Sequence, residues 1–167
     1  LNVTLNVNGA DQAAELASLA TAGSVDLSAM GIDNVNFSLG DNDLLAWLNG
    51  SDLSNNINAI QADGVSVGGT IDLANPADFS ITDVQAHELV ADGLTFAADD
   101  SISLQAEAGS THLSTSLKDL QKLGIDAVSV ATGATVGDAL HVNLGSGEAL
   151  TVDSLPSFDP SLNVTLD

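Results

Sequence analysis

Apolar residues fall into two spacings along this chain, and each predicts a different element. Leu1, Val3 and Leu5 alternate with Asn2 and Thr4, the two-residue period of a half-buried strand, and Leu162, Val164 and Leu166 alternate with Asn163 and Thr165 in the same way. Between these, helical spacing gives way repeatedly to short apolar runs. Residues 11–22 form an alanine-rich amphipathic stretch ended by Gly23, and residues 44–48 are a dense apolar segment containing Trp47. Over residues 80–96, Ser80 and Asp83 have the spacing of a helix cap pair and Ile81, Val84 and Leu89 share a face. Gly93 ends that helix and Leu94 begins a strand. The order returns with Ser116 and Asp119 as cap pair, Leu113, Leu117, Leu120 and Leu123 as buried stripe, Gly124 as stop and residues 125–130 as strand. A further strand is expected after each polar turn: residues 70–73 after Gly68-Gly69, 101–105 after Asp99-Asp100, and 139–144 after Gly137-Asp138. The predicted unit is helix, strand, turn, strand.

Repetition sets how many such units there are. Leu27 to Phe37 aligns with Leu120 to Val130 at every large apolar position and shares Gly-Ile-Asp-x-Val, while Ala62-Asp63-Gly64 matches Ala91-Asp92-Gly93. The glycines at 31, 64, 93 and 124 lie 33, 29 and 31 residues apart. These spacings predict an α/β repeat stack, solenoid-like, of about four units with a period near 31 residues and parallel sheets between units. Residues 1–9 would be a terminal strand, 10–145 the repeat domain, 146–161 a connector with Pro156 and Pro160, and 162–167 a second terminal strand equivalent to 1–5. The identical pentapeptides Leu1–Leu5 and Leu162–Leu166 are offset by 161 residues, which is expected of one period of a tandem array or of a polymer-forming protomer. Leu1 in place of Met is expected of an excerpt or a processed product. Leu1, Val3, Leu5, Leu162, Val164 and Leu166 are therefore the candidate self-assembly residues.

The string Thr111 to Val128, preceded by Leu89 to Asp100, resembles the alanine- and aspartate-rich helix-strand repeats of very large type I-secreted, adhesin-like surface proteins of Gram-negative bacteria. The resemblance is closest over residues 80–145 and looser over 10–79. It implies a secreted or cell-surface location, a structural or adhesive role, and calcium as an accompanying ion. One departure bears on the calcium: Gly68-Gly69-Thr70-Ile71-Asp72-Leu73 lacks the third glycine of the calcium-roll nonapeptide and occurs once.

Charge narrows the partners. Among 167 residues, 23 are acidic, 19 of those are Asp, and only two Lys oppose them, for a net charge of −21. Such a polyanion repels phosphate backbones and anionic lipid, which excludes nucleic acid and membrane insertion as partners, and leaves divalent cations. The absence of Cys removes disulfides and thiolate chemistry. Calcium takes six to eight oxygens. Its first candidates here are Asp41 and Asp43 in Gly-Asp-Asn-Asp and then Asp99 with Asp100, against the alternative of solvated turns. Asp33 and Asp126 occupy one repeat position and Asp63 and Asp92 another, so stacking would bring carboxylates near each other, where cations or water must screen them.

Catalytic motifs are lacking. His87, His112 and His141 make no HExxH or HxH pattern, although their spacings of 25 and 29 residues leave room for stacking. Gly145-Ser146-Gly147 lacks the nucleophile elbow, and no phosphate-cradling loop occurs. The expectation is a non-enzymatic extracellular module, a stalk, matrix, coat or adhesin extender, whose partners are copies of itself or adjacent repeats of the same chain. The alternative is a glycan- or matrix-binding module in which Trp47 and Asn49 contact the sugar, a reading that an exposed indole would favour.

Overall fold

Strand pairing is parallel throughout the residues described by this computed structural model, which are 2–74, 79–130, 139–146 and 155–167. In chain order the strands are β1 (Thr4–Asn8), β2 (Asn34–Leu39), β3 (Ser66–Ile71), β4 (Phe79–Thr82), β5 (Leu94–Phe96), β6 (Ile102–Ala106), β7 (Ala127–Val130), β8 (Leu140–Val142), β9 (Ser157–Phe158) and β10 (Val164–Leu166). The helices are α1 (Gly9–Thr21), α2 (Asp41–Leu48), α3 (Leu53–Gln61), α4 (Asp83–Ala91) and α5 (Leu117–Leu123). The class is mixed α/β with several parallel sheets and, among the described residues, five helices. Parallel neighbours require crossover connections, and these helices occur within them.

Two compact units divide the chain: residues 1–74 with 91–97, and residues 75–90 with 98–167. In the first, the sheet order β1-β2-β3-β5 follows the chain, with Thr4 opposite Asn34, Asn34 opposite Ser66 and Gly69 opposite Leu94. Sheets of this parallel kind are usually apolar on both faces, but β2 alternates. Val35, Phe37 and Leu39 are buried while Asn36 and Ser38 face solvent. Its buried side chains share the unit's core with Ala13 and Ala17 of α1 and with Leu53, Ile57 and Ile60 of α3. The second unit holds the sheet β4-β6-β7-β9, again in chain order, and the two-stranded sheet β10-β8. Ile102, Leu104 and Ala106 bury alternate positions of β6, and Leu117, Leu120 and Leu123 bury one stripe of α5.

Several expectations are corrected here. The separation between partnered residues runs 30, 32 and 25 in the first sheet and 23, 24 and 30 in β4-β6-β7-β9, a wider spread than the 29 to 33 between the aligned glycines. Helices and turns of unequal length fill the connections. The single repeat domain expected over 10–145 is divided between the two units. Ser80 is no cap: it lies in β4 opposite Ser103, and the cap pair is Thr82 and Gln85. The Thr82 N–H donates to Gln85 Oε1 at 2.8 Å and the Gln85 N–H to Thr82 Oγ1 at 3.3 Å. Gly68-Gly69 is not a turn but the middle of β3. A Cβ on Gly69 would lie 2.6 Å from the Phe37 carbonyl oxygen and 2.7 Å from Phe37 Cβ, so the missing side chain lets a strand pass close to Phe37. The connector expected over 146–161 contains β9, paired to β7. Helix α3 was masked in the sequence by weak helix formers at Asn55, Asn56 and Asn58, although Leu53, Ile57 and Ile60 have helical spacing. Gly64, Gly93 and Gly124 have φ of +83°, +75° and +89°, the left-handed values with which a glycine ends a helix. Gly137-Asp138 lies outside the described residues.

Candidate functional site

Aspartate carboxylates accept main-chain N–H groups from segments far away in the chain. Asp33 Oδ2 accepts the Val3 N–H at 2.8 Å while the Asp33 N–H donates to the Val3 carbonyl at 2.9 Å. In the other unit Asp126 treats Ile102 identically, with the same two distances of 2.8 and 2.9 Å. Each carboxylate thus takes an N–H at the start of the preceding strand. Four further aspartates reach as far along the chain: Asp63 Oδ2 accepts the Leu27 N–H, Asp41 Oδ1 the Ala74 N–H, Asp43 Oδ1 the Ala10 N–H, and Asp83 both the Ser114 and Thr115 N–H groups. An unpaired main-chain N–H at a strand or helix start is costly to bury, and a short charged acceptor satisfies it with few rotamers to fix. Of the predicted carboxylate ladder, Asp33, Asp63 and Asp126 are therefore ties to main-chain N–H groups.

The same geometry gives the metal candidates Asp41 and Asp43 main-chain partners. Both oxygens of Asp43 are engaged, Oδ1 by Ala10 at 2.7 Å and Oδ2 by Gly40 at 3.0 Å. Asn8, the N-cap residue of α1, makes no side-chain cap bond, so Asp43 supplies that acceptor from 33 residues away, with a charge favourable to the helix dipole. Asp41 is tied to Ala74. Asp99 is exposed in the turn before β6, and Asp100 beside it is buried. Within either unit, among the described residues, no three carboxylate or imidazole ligands come together.

Trp47 is 7% exposed, and its indole N–H donates to Ser54 Oγ, which donates to Asp92 Oδ2 at 2.6 Å. The ring is a core side chain anchored by a polar relay, and the sugar-stacking face that the glycan reading needs is covered. Asn49 is the C-cap of α2, donating from Nδ2 to the Leu45 carbonyl. His112 and His141 do stack, with ring centroids 4.8 Å apart, and His141 Nδ1 lies 2.8 Å from Asp167 Oδ2. The groove between α1 and α3 is lined by Ala14, Ala17, Ser18, Thr21, Asn55 and Asn56 with neighbouring alanines and no titratable side chain. Two exposed carboxylates are held below their ordinary range: Asp26 by the Ala29 N–H and then the Ser28 hydroxyl, Asp159 by the Ser161 hydroxyl and then its N–H.

The terminal segments form strands displaced from the predicted bounds: β1 begins at Thr4, and β10 begins at Val164. Leu1 lies outside the described residues, and Leu162 is in the turn before β10, its N–H donating to the Asp159 carbonyl. Val3 is 37% exposed, Leu5 half-buried, Val164 half-buried and Leu166 52% exposed, so neither pentapeptide is fully covered. Strand β1 pairs with β2, and β10 pairs with β8. No protein-family model, curated protein or solved structure matches this chain.

Proposed function

We propose that this chain is a non-enzymatic structural module, a solenoid-like stack of strand-and-helix repeats that forms one period of a tandem-repeat or filament-forming secreted surface protein. The observation that carries this reading is the matched tie of Asp33 to Val3 and of Asp126 to Ile102, one device used in both units to fasten a strand to the one before it. A chain whose two four-stranded sheets add strands in chain order lends itself to extension by further repeats. The alternating polar face of β2 supports it too, because a layered α/β enzyme fold would cover that face. Calcium enters as a diffuse counter-ion to the −21 charge of a module placed outside the cell. The test is end-to-end association: sedimentation velocity across a wide concentration range, followed by electron microscopy, is expected to show linear assemblies. A strictly monomeric protein would overturn the reading.

A further inference from the structure

The two identical pentapeptides use opposite edges of their strands. In a parallel ladder, alternate residues turn their N–H and C=O to one neighbour, and the intervening residues turn theirs to the other. In β1 the Val3 carbonyl accepts the Asn34 N–H, and the register of Thr4 opposite Asn34 places Leu5 in the same set, so the odd residues face β2. Asn2 and Thr4 then face away from it. In β10 the Asn163 carbonyl accepts the Leu140 N–H, and the Asp167 N–H donates to the Val142 carbonyl, so Asn163, Thr165 and Asp167 face β8. Val164 and Leu166 face away. Among the described residues, no strand pairs with β10 on that side.

Laid on one another, the two copies are complementary. The residues Val164 and Leu166, which present the edge of β10 that no described strand pairs, are the equivalents of Val3 and Leu5, which bind β2. We infer that the outer edge of β10 seats strand β2 of a second copy of this chain, with β10 standing in for that copy's β1. Asp33 of the second copy then closes on the Val164 N–H as it closes on Val3, and Asn34 Nδ2 donates to Asn163 as it does to Asn2 Oδ1 at 2.6 Å. The apolar side chains fit the same exchange, because Leu166 is 52% exposed where its equivalent Leu5, beside β2, is half-buried. The inference rests on the stacking reading above and adds its partner, its strand and its register.

Because the chain has no cysteine, introduced thiols report this contact alone. Full-length Thr165→Cys and Asn34→Cys proteins are mixed under mild oxidation. The register of Thr4 with Asn34 places Thr165 opposite Asn34, within reach of a disulfide. The mixed dimer is expected at least ~10-fold above that of Thr165→Cys with Ser66→Cys, since Ser66 lies on the interior strand β3. Adding Val164→Pro to the donor removes only an outward N–H, which edge strands tolerate, and is expected to cut the yield about tenfold with the melting curve unchanged. Adding Val3→Pro to the recipient removes the N–H held by Asp33, loosens its own β1 and is expected to raise the yield. A folded Val164→Pro donor that cross-links as well as its parent overturns the inference. Association without the Asn34–Thr165 disulfide overturns this register and leaves the stacking module standing. Strict monomers, even with Val3→Pro, overturn both.

Discussion

Replacing Asp83 by Ala removes the acceptor for two main-chain N–H groups at once. Asp83 is 9% exposed, and its Oδ2 and Oδ1 accept the Ser114 N–H at 2.6 Å and the Thr115 N–H at 3.0 Å. Thr115 is buried at 1% exposure, so its N–H has no water to turn to, and leaving such a donor unpaired costs ~1–3 kcal/mol. Ser114 is exposed and regains water, which limits its share to ~0.5–1.5 kcal/mol. Asp83→Ala should therefore destabilise the unit containing α5 by roughly 2–4 kcal/mol, equal to a fall in Tm on the order of 5–12 °C. Asp83→Asn keeps one carbonyl oxygen and should cost about half as much. Glu107→Ala, an exposed carboxylate, should change stability by less than ~0.5 kcal/mol. Urea unfolding gives the free energies, and amide exchange at Thr115 shows where the loss falls. An Asp83→Ala protein within ~0.5 kcal/mol of the parent, with Thr115 still protected, would refute the reasoning that aspartates hold distant segments of the chain together.

Three other outcomes follow from the same geometry. Asp43→Ala should cost ~1–2 kcal/mol by uncapping α1, and by the same amount in calcium as in a chelator, because both oxygens already accept N–H bonds; a loss seen only with calcium would restore a metal site there. Gly69→Val should prevent close passage of β3 beside Phe37 and lower stability more than Gly31→Val, where an added Cβ meets nothing within 4 Å and only φ strain remains; comparable melting shifts would contradict this. Asp26 and Asp159 ionise below the ordinary carboxylate value of 3.8, so their stabilisation is complete above that pH and is lost as pH falls through their lowered folded values; carboxyl-carbon NMR titration should find both midpoints low, with Asp26 rising in a Ser28→Ala protein.

Much of the fold was legible because the strongest signals were local. Ser116 with Asp119, the stripe of Leu117, Leu120 and Leu123, and the left-handed Gly124 belong to one helix and its caps, and α5 formed there, while Leu113 of the expected stripe is buried ahead of the helix. The shared Gly-Ile-Asp-x-Val also pointed to one structural role, which Asp33 and Asp126 fill. What that role is could not be read, because the partners Val3 and Ile102 lie 30 and 24 residues away and contribute main-chain N–H groups that every residue carries. Gly68-Gly69 misled because a glycine pair signals a turn by backbone freedom, whereas here Gly69 is required by the bulk of Phe37 on the adjacent strand. Asp41 and Asp43, whose spacing suggested a cation, also accept main-chain N–H groups from Ala74 and from the first turn of α1, partners 33 residues away that local spacing does not show. The dense apolar run of residues 44–48 already pointed Trp47 toward the core, but not its indole partner, because Ser54 and Asp92 come from other elements.

The stacking claim is met most directly by a two-period protein in which residues 6–167 are joined after Leu166, so that one pentapeptide serves as β10 of the first period and β1 of the second. Nearest-neighbour repeats gain stability with each completed interface. Scanning calorimetry should give a single transition at a higher Tm than the one-period chain, with the shared Val164 amide strongly protected from exchange. Two independent transitions at the Tm of the single chain, with Val164 exchanging freely, would contradict the account.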